Sequence, residues 1–256
     1  MTRPRLGFFK FSCCAGCEFQ TFYFQKHPAE TLAAFEIVFA KMVLRGGAPE
    51  GPFDLALVEG TITEAWQADE LKKIRKSSAL LFAIGACAVN GGIPALKALA
   101  PELEVEGKVY KNLSPIHSIR PHPVDAYIQV DGYIRGCPPG ERDLHEALTS
   151  VLAQKKPGFL RCAVCVECKL KGNICILTAY GMPCMGPVTN AGCDALCPTC
   201  KRPCYSCFGL MKQANAPALA KKFRSLGLSE SDIRRKFTLF DADAALFSKA
   251  DKLNED

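Results

Sequence analysis

The sequence contains no run of about 18 consecutive apolar residues, so it predicts no transmembrane helix. Its first residues, MTRPRLGFFKF, lack the roughly 7–15-residue apolar stretch and small-residue cleavage site of a secretory leader. Arg3 and Arg5 are separated by Pro4 and do not form a twin-arginine pair. We therefore expect a cytoplasmic protein. In that compartment, closely spaced cysteines more often bind metal than form disulfides.

Nucleotide-binding motifs are also absent. The sequence has no G-x-x-x-x-G-K-S/T motif and no G-x-G-x-x-G after its first predicted strand. The formal net charge is +6, but the basic residues are scattered, and thiolate-bound clusters would add negative charge. We therefore predict no nucleic-acid partner. A hydrophobic fraction of 48% with 23% charged residues is that of a globular protein and excludes general disorder.

Cysteine is the abundant residue: the chain has 15, and no histidine lies among the ten between residues 162 and 207. These ten are Cys162, Cys165, Cys168, Cys175, Cys184, Cys193, Cys197, Cys200, Cys204 and Cys207. Two tetrahedral zinc sites are one interpretation, since C-x2-C pairs occur at 165/168 and 204/207. Iron–sulfur clusters are the other, and the spacing favours them because it leaves little room for zinc-ribbon hairpins. Thiolate ligands alone suit both metals.

Residues 1–155 alternate between strand and helix patterns. Strands are predicted over Arg5–Phe11, Asp54–Glu59, Ala79–Ile84 and either Tyr127–Val130 or Tyr133–Ile134. Helices are predicted over Ala33–Met42, Thr63–Lys76 with Thr63 as its cap, and Glu141–Gln154, with a glycine-rich loop over 85–92 and a short helix from Pro94. After Gly209 we predict helices over Pro217–Leu226 and Glu230–Phe237. The alternation predicts an α/β fold with a doubly wound parallel sheet.

Four cysteines of this first part directly follow predicted strands: Cys14, Cys17, Cys87 and Cys137. In doubly wound sheets, ligands bind outside the carboxyl ends of the strands. We therefore expect these four thiols to meet at one edge of the sheet as a single metal site. Simple burial would account for Cys87 alone. Cys13 is left over, because its neighbour Cys14 has a C-x2-C partner in Cys17.

Several of these cysteines lie in longer motifs. They are Cys14-Ala-Gly-Cys17-Glu, Gly85-Ala-Cys87-Ala-Val-Asn-Gly-Gly, Gly136-Cys137-Pro-Pro-Gly, Cys165-Val-Glu-Cys168-Lys-Leu-Lys-Gly-Asn, Cys175-Ile-Leu, Pro183-Cys184-Met-Gly-Pro-Val-Thr, Gly192-Cys193, Cys197-Pro and Pro203-Cys204-Tyr-Ser-Cys207. With these motifs, residues 5–210 resemble the small subunit of nickel–iron hydrogenases in its cytoplasmic forms. Those forms include the sulfhydrogenase delta and F420-non-reducing, methyl-viologen-reducing subunits.

The resemblance implies three units and three 4Fe–4S clusters. A flavodoxin-like domain over residues 1–156 would carry a proximal cluster, a small irregular or helical domain over 157–212 would carry a medial and a distal cluster, and 213–256 would form a helical tail. The implied ligands are Cys14, Cys17, Cys87 and Cys137 (proximal), Cys165, Cys168, Cys175 and Cys184 (distal), and Cys193, Cys197, Cys204 and Cys207 (medial). Cys162 and Cys200 are then free thiols. The alternatives are that Cys162 replaces Cys165 or Cys168, and that Cys200 replaces Cys197.

The resemblance also implies a function in electron transfer. Hydrogen is split at a nickel–iron centre in a separate large subunit, so we expect no catalytic residue in this chain. Further partners would be flavin or iron–sulfur redox subunits, and the apolar segment 19–24 is a candidate contact with the large subunit. Two other hypotheses remain: a quinone-module subunit of respiratory complex I, which needs one cluster, and a zinc-binding interaction module.

Overall fold

A parallel five-stranded sheet forms the centre of the first part of the protein. The structure is a computed structural model that describes residues 2–23, 30–44, 51–101 and 104–242. The strands are β1 (Arg5–Lys10), β2 (Glu36–Ala40), β3 (Phe53–Glu59), β4 (Ile62–Glu64), β5 (Ser78–Ile84), β6 (Ser118–His122) and β7 (Gly132–Ile134). The sheet order is β2-β1-β3-β5-β7, and β4 pairs with β6 separately and antiparallel. Counted along the sheet alone, this is the 2-1-3-4-5 order of flavodoxin-like folds.

The helices surround this sheet and then form most of the regular structure after it. They are α1 (Gly16–Tyr23), α2 (Ala65–Lys76), α3 (Gly85–Asn90), α4 (Glu104–Val109), α5 (Glu141–Leu152), α6 (Val164–Leu170), α7 (Ile176–Ala179), α8 (Leu196–Thr199), α9 (Ala216–Ser225) and α10 (Glu230–Thr238). Short 3-10 turns cover Ile93–Leu99, Val124–Ala126 and Gly186–Val188. No helix in the described part of the chain is long and apolar enough to cross a membrane.

The central strands β1, β3 and β5 are apolar along most of their length because helices cover both faces of the sheet. Leu71 and Ile74 of α2 belong to the core on one face, and Leu144 and Leu148 of α5 to the core on the other. The predicted α/β fold class, with a doubly wound parallel sheet, is therefore confirmed. So are the predicted strands β1, β3 and β5 and the helix α5.

The predicted helix over Ala33–Met42 is wrong. Residues Glu36–Ala40 form the edge strand β2, which pairs in parallel with β1. Ile37, Val38 and Phe39 are β-branched or aromatic residues that suit a strand. The helical spacing of the apolar residues in this window was misleading, because a run this short fits either period.

Smaller differences concern the ends of elements. Thr63 lies in β4 and does not cap α2, which begins at Ala65. The predicted loop over 85–92 contains the short helix α3. Of the two alternatives for the last sheet strand, Tyr133–Ile134 is confirmed as part of β7, and Tyr127–Val130 is wrong. The pairing of β4 with β6 was not predicted. Both helices expected after Gly209 are present as α9 and α10.

The part of the chain after α5 has its own apolar core. Helices α9 and α10 pack on the cysteine-rich segment, and Phe223 and Phe237 join Val188 in one buried cluster. Cys184 and Cys204 belong to the same cluster. The tail helices therefore cover the cysteine-rich segment. The predicted unit boundaries at 156 and 212 stay predictions.

Candidate metal centres

The carboxyl ends of four parallel strands align at one edge of the sheet. Lys10 of β1 is in register with Glu59 of β3, which is in register with Ile84 of β5, and Ile84 with Ile134 of β7. The loops that start at these positions carry Cys14 and Cys17 after β1, Cys87 after β5 and Cys137 after β7. The β1–β3 pair is the switch point of the sheet, where the chain connections leave in opposite directions.

The four thiols of this edge, the proximal set, influence one another electrostatically. Burial raises the pKa of the Cys87 thiol to about 12, and neighbouring Cys137 and Cys14 contribute to the rise. Burial likewise holds the pKa of Cys17 well above its usual value, with Glu59, Cys87 and Cys137 adding to the effect. Thiols with such pKa values stay protonated unless a cation compensates the thiolate charge, as a bound metal does.

Glu59 is a buried acid beside the proximal set that was not predicted from the sequence. It is completely buried at the end of β3, and its Oε2 accepts hydrogen bonds from the backbone N–H of Cys17 at 3.2 Å and of Glu18 at 3.3 Å. Its other oxygen, Oε1, has no hydrogen-bond partner within the described residues. Burial raises the pKa of this carboxyl. An acid that ends an otherwise apolar strand was the only signal available in the sequence.

The second group, the distal set, lines one cavity. Its walls are Val164, Cys165, Cys168, Cys175, Ile176, Leu177, Cys184, Gly186, Pro187 and Pro198. All four cysteines that the family resemblance assigned to a distal cluster therefore face the same space. Cys175 is exposed and Cys184 is buried, so the cavity runs from the surface to the core. A hydrogen bond with the Thr178 side chain lowers the pKa of Cys175.

The third group, the medial set, lies between the other two. Burial raises the pKa of Cys207 to about 12, and the charges of Cys193, Cys197 and Cys137 bear on the same thiol. A Cβ at Gly136, next to Cys137, would lie 2.7 Å from the ring of Phe208, next to Cys207. The segment that bears Cys207 therefore packs against the loop of the proximal Cys137.

A second contact joins the medial and distal sets. The backbone N–H of Cys204 donates to Cys184 Sγ at 3.2 Å. The N–H of Ser206 donates to Cys204 Sγ at 3.5 Å. The three sets are thus ordered in space as proximal, medial, distal, although the distal cysteines come before the medial ones in the chain.

The backbone around the cysteines is unusual because glycines lie where a side chain would meet a sulfur atom. A Cβ at Gly85 would clash with Cys17 Sγ, and one at Gly92 would lie 3.0 Å from Cys87 Sγ. A Cβ at Gly186 would lie 3.4 Å from Cys165 Sγ and 3.5 Å from Cys184 Sγ. Non-glycine residues with positive φ also lie between cysteines, among them Ala15, Ala195 and Ser206. Strained backbone of this kind clusters at functional sites.

Glu167 is a second buried acid that was missed. It lies in α6 between Cys165 and Cys168, and its carboxylate accepts hydrogen bonds from the backbone N–H of Gly192 at 3.0 Å and of Ala195 at 3.3 Å. Those two residues flank Cys193 and Asp194 in the medial loop. Arg142 of α5 lies 3.6 Å from the same carboxylate. Glu167 therefore ties the distal helix, the medial loop and the sheet region together.

The three cysteines left outside the predicted sets have different surroundings. Cys162 does not line the distal cavity, and its carbonyl accepts a hydrogen bond from the N–H of Ala191 at 2.8 Å. Cys200 is exposed and lies next to Cys197, whose pKa burial and Cys200 both raise. Cys13 lies beside Glu59 and Cys87, but its Sγ also accepts a hydrogen bond from the N–H of Ala15 at 3.5 Å. The choice of ligands among neighbours stays a prediction.

The donor chemistry of the three sets suits iron–sulfur clusters. The four distal thiols line one cavity, and thiols of the proximal and medial sets raise one another's pKa values. Iron–sulfur clusters are usually held by four cysteine thiolates. Within the described residues, no group of three or more His, Cys, Asp or Glu side chains is arranged to hold a single metal ion. A cluster of four irons separates its ligands more widely than one ion does.

Comparison with known proteins agrees with this arrangement. Residues 14–151 match the family model described as NADH ubiquinone oxidoreductase, 20 Kd subunit. The chain is 30% identical over 237 residues to the delta subunit of sulfhydrogenase 2 of Pyrococcus furiosus, a match that covers 92% of this chain and 98% of that protein. It is 25% identical over 264 residues to the iron-sulfur subunit of the F420-non-reducing hydrogenase of Archaeoglobus profundus, a match that covers 80% of this chain and 82% of that protein.

A solved structure is similar to part of the chain. It is the NAD+-reducing NiFe-hydrogenase in the H2-reduced state, at 25% sequence identity and a TM-score of 0.54. The match covers 62% of this chain and 96% of that one. The family model ends before the cysteine-rich segment begins, whereas the sulfhydrogenase match extends through it.

Proposed function

This chain belongs to the nickel–iron hydrogenase small-subunit family, and we propose that it carries electrons between a large subunit and partner redox subunits. The large subunit would hold the nickel–iron site, and the partners would be flavin or iron–sulfur subunits of the same cytoplasmic complex. Three 4Fe–4S clusters would be held by the proximal, medial and distal sets. Each cluster, when bound, would accept and release one electron, with a potential tuned by hydrogen bonds to sulfur and by burial.

One observation carries this proposal: the segment that bears the medial set contacts the segments of both other sets. Phe208, next to Cys207, packs against Gly136, next to Cys137, and the N–H of Cys204 donates to Cys184 Sγ. An ordered series of three thiol sets is what a one-dimensional electron path needs. The exposed Cys14 and Cys137 at one end and the exposed Cys175 at the other would place both terminal sets near the surface.

The chain's own residues then have separate roles. The β1, β5 and β7 loops would fix the proximal thiols, and Glu59 would hold the Cys17 loop through two backbone N–H groups. Glu167 would fix the medial loop relative to the distal helix. Because Cys14 and Cys137 are exposed, the sheet edge that bears them is the candidate face for the large subunit.

Metal analysis of the purified complex tests the cofactor content. We expect about twelve irons with matching acid-labile sulfide in this chain. About four irons would instead favour the complex I quinone-module hypothesis, and zinc without sulfide would favour the zinc-binding interaction module.

Substitution of Cys17 tests the electron path. In the intact complex, Cys17→Ala should abolish hydrogen-dependent dye reduction while the nickel content of the large subunit stays unchanged. Cys162→Ala is the matched control, because it removes a thiol predicted to be free and should keep full activity. Full activity in Cys17→Ala would show the proximal assignment to be wrong.

A further inference from the structure

Three of the most exposed apolar side chains of the described residues lie around the distal set. Leu170 is 83% exposed, Leu196 64% and Ile174 62%. Leu170 ends α6, which carries Cys165 and Cys168, and Ile174 precedes Cys175 directly. Leu196 starts α8, whose Pro198 lines the distal cavity. Leu170 and Ile174 are therefore close in sequence to distal thiols, whereas Leu196 precedes the medial Cys197 in the helix that also lines the distal cavity.

Hydrogen bonds and an ion pair make these separate segments one surface. The side chain of Asn173 donates to Thr199 Oγ1 at 3.0 Å, and Lys171 pairs with Asp194 at 2.5 Å. The N–H of Asn173 donates to the carbonyl of Cys168 at 3.1 Å. We call Leu170, Ile174 and Leu196 the distal surface. Its geometry is fixed by these bonds, so it is a preformed apolar face and not a loose loop.

Basic residues border the distal surface. Lys169 precedes Leu170, and exposed Lys201 and Arg202 follow α8 directly, with backbone N–H groups bonded to the carbonyls of Pro198 and Cys197 at 2.9 Å each. Two acids of the same segments are engaged: Asp194 pairs with Lys171, and buried Glu167 accepts backbone hydrogen bonds. Lys169, Lys201 and Arg202 therefore give these segments a net positive charge.

We propose that the distal surface is the docking face for a permanently bound redox subunit that has an apolar centre and an acidic rim. This inference rests on the proposed electron-transfer function and adds the chemistry of the partner. Large aliphatic side chains in water favour burial in a lasting interface, whose core is more apolar than that of a transient one. The basic rim selects for acidic residues on the partner and speeds its association.

The first test removes the apolar centre. In the complete hydrogenase, the double variant Leu170→Asp, Leu196→Asp should weaken binding of the redox subunit by at least about 100-fold, because two large aliphatic contacts are lost and two carboxylates are placed against an apolar partner. Binding is measured by the subunit composition after size-exclusion chromatography at decreasing concentration. The nickel–iron large subunit should remain bound, and hydrogen-dependent dye reduction should be retained.

Val109→Asp is the matched control, because Val109 is 68% exposed in α4 of the sheet region and undergoes the same change of chemistry. It should leave the subunit composition unchanged. A redox subunit that stays bound to the double variant as tightly as to the wild type would overturn the proposal. Loss of the large subunit in its place would also overturn it, because the surface would then belong to that interface.

A charge test decides the matter if the double variant loses iron and so fails to fold. Lys201→Glu with Arg202→Glu should slow association of the redox subunit about tenfold or more at low salt, with a smaller difference at high salt. An unchanged rate would contradict the acidic rim. These outcomes are independent of the function test: dye reduction in Cys17→Ala decides the electron path, and partner retention decides the docking face.

Discussion

The sheet region and the cysteine-rich region hold their cysteines in different ways. In the sheet region, a hydrogen-bonded ladder with continuous register positions the loops, and the proximal thiols lie at its edge, with Cys17 packed against the core from outside. In the cysteine-rich region, α7 and α8 have four residues each, and Cys184 and Cys204 are part of the buried core itself. The proximal site is therefore placed on a sheet that folds without it. The medial and distal cysteines, in contrast, help to form the core of the region that holds them.

Hydrogen bonding shows the same contrast. Strands β1, β3 and β5 satisfy each other's backbone groups without any sulfur. The N–H of Ala15 donates to Cys13 Sγ, but in a loop outside the sheet. In the cysteine-rich region, backbone N–H groups of Cys204 and Ser206 donate to sulfur atoms of the buried core. Sulfur in a thiol is a weak acceptor, and it becomes a much better one as a metal-bound thiolate. Bound metal should therefore contribute to folding mainly in the cysteine-rich region.

Removal of metal should separate the two regions, and this is the largest effect we expect. After anaerobic oxidation and chelation of the clusters, residues 162–210 should lose most amide protection, while β1, β3 and β5 keep theirs. Hydrogen exchange read by mass spectrometry measures this, with a sample treated without chelator as the control. Simultaneous loss of protection in both regions would show that the sheet also depends on metal.

A substitution at Gly85 should break only the proximal site. Its φ is +83°, and a Cβ there would clash with Cys17 Sγ. We expect Gly85→Ala to lower the iron content by about four atoms, the content of one 4Fe–4S cluster. Amide protection of residues 162–210 should stay intact. Iron analysis and electron paramagnetic resonance of the purified complex measure the loss.

Gly172→Ala is the control for backbone strain in that experiment. Gly172 also has a positive φ, +69°, but a Cβ there would meet nothing within 4 Å. It should cost only the strain of the left-handed conformation, about 1 kcal/mol, and keep all the iron. Equal iron loss in both variants would mean that strain, not contact with sulfur, governs the effect.

The contrast between the regions also explains what could be predicted from the sequence. Long apolar runs bounded by glycine identified β3 and β5, and the position of cysteines after strands placed four of them at one edge. The edge strand β2 was missed because five residues are too few to distinguish strand from helix periodicity. Glu59 and Glu167 were missed because their partners are backbone N–H groups brought to them by tertiary structure.

Substitution of Glu167 tests how the regions are joined. Glu167→Gln keeps one carbonyl oxygen, so one of the two N–H groups, of Gly192 or Ala195, loses its acceptor inside the protein. We expect opening of the medial loop to become easier by about 1–3 kcal/mol, the cost of an unsatisfied buried donor. Hydrogen exchange of residues 191–197 measures this opening energy.

Glu230→Gln serves as the control for Glu167→Gln. Glu230 is exposed and pairs with Arg224 on the surface, so its loss should leave exchange of the medial loop unchanged. If Glu167→Gln also left this exchange unchanged, the carboxylate would not be what fixes the loop.

The smallest effect concerns Glu106, which stabilises the sheet region without metal. Glu106 contacts Lys97 and accepts a hydrogen bond from Ser118 Oγ at 2.6 Å, and these two partners lower its pKa to about 2. A carboxyl with a lowered pKa contributes stability at pH values above its unfolded value, near 4.5, and loses it as the pH falls towards 2. We therefore expect Glu106→Gln to lower the melting temperature of the sheet region by a constant amount between pH 8 and 5. The difference from the wild type should shrink below pH 4.5. A difference in melting temperature that grew as the pH fell would contradict the assignment. Glu104→Gln is the control: its partner Lys108 is at the surface, so its melting temperature should differ little from the wild type at any pH.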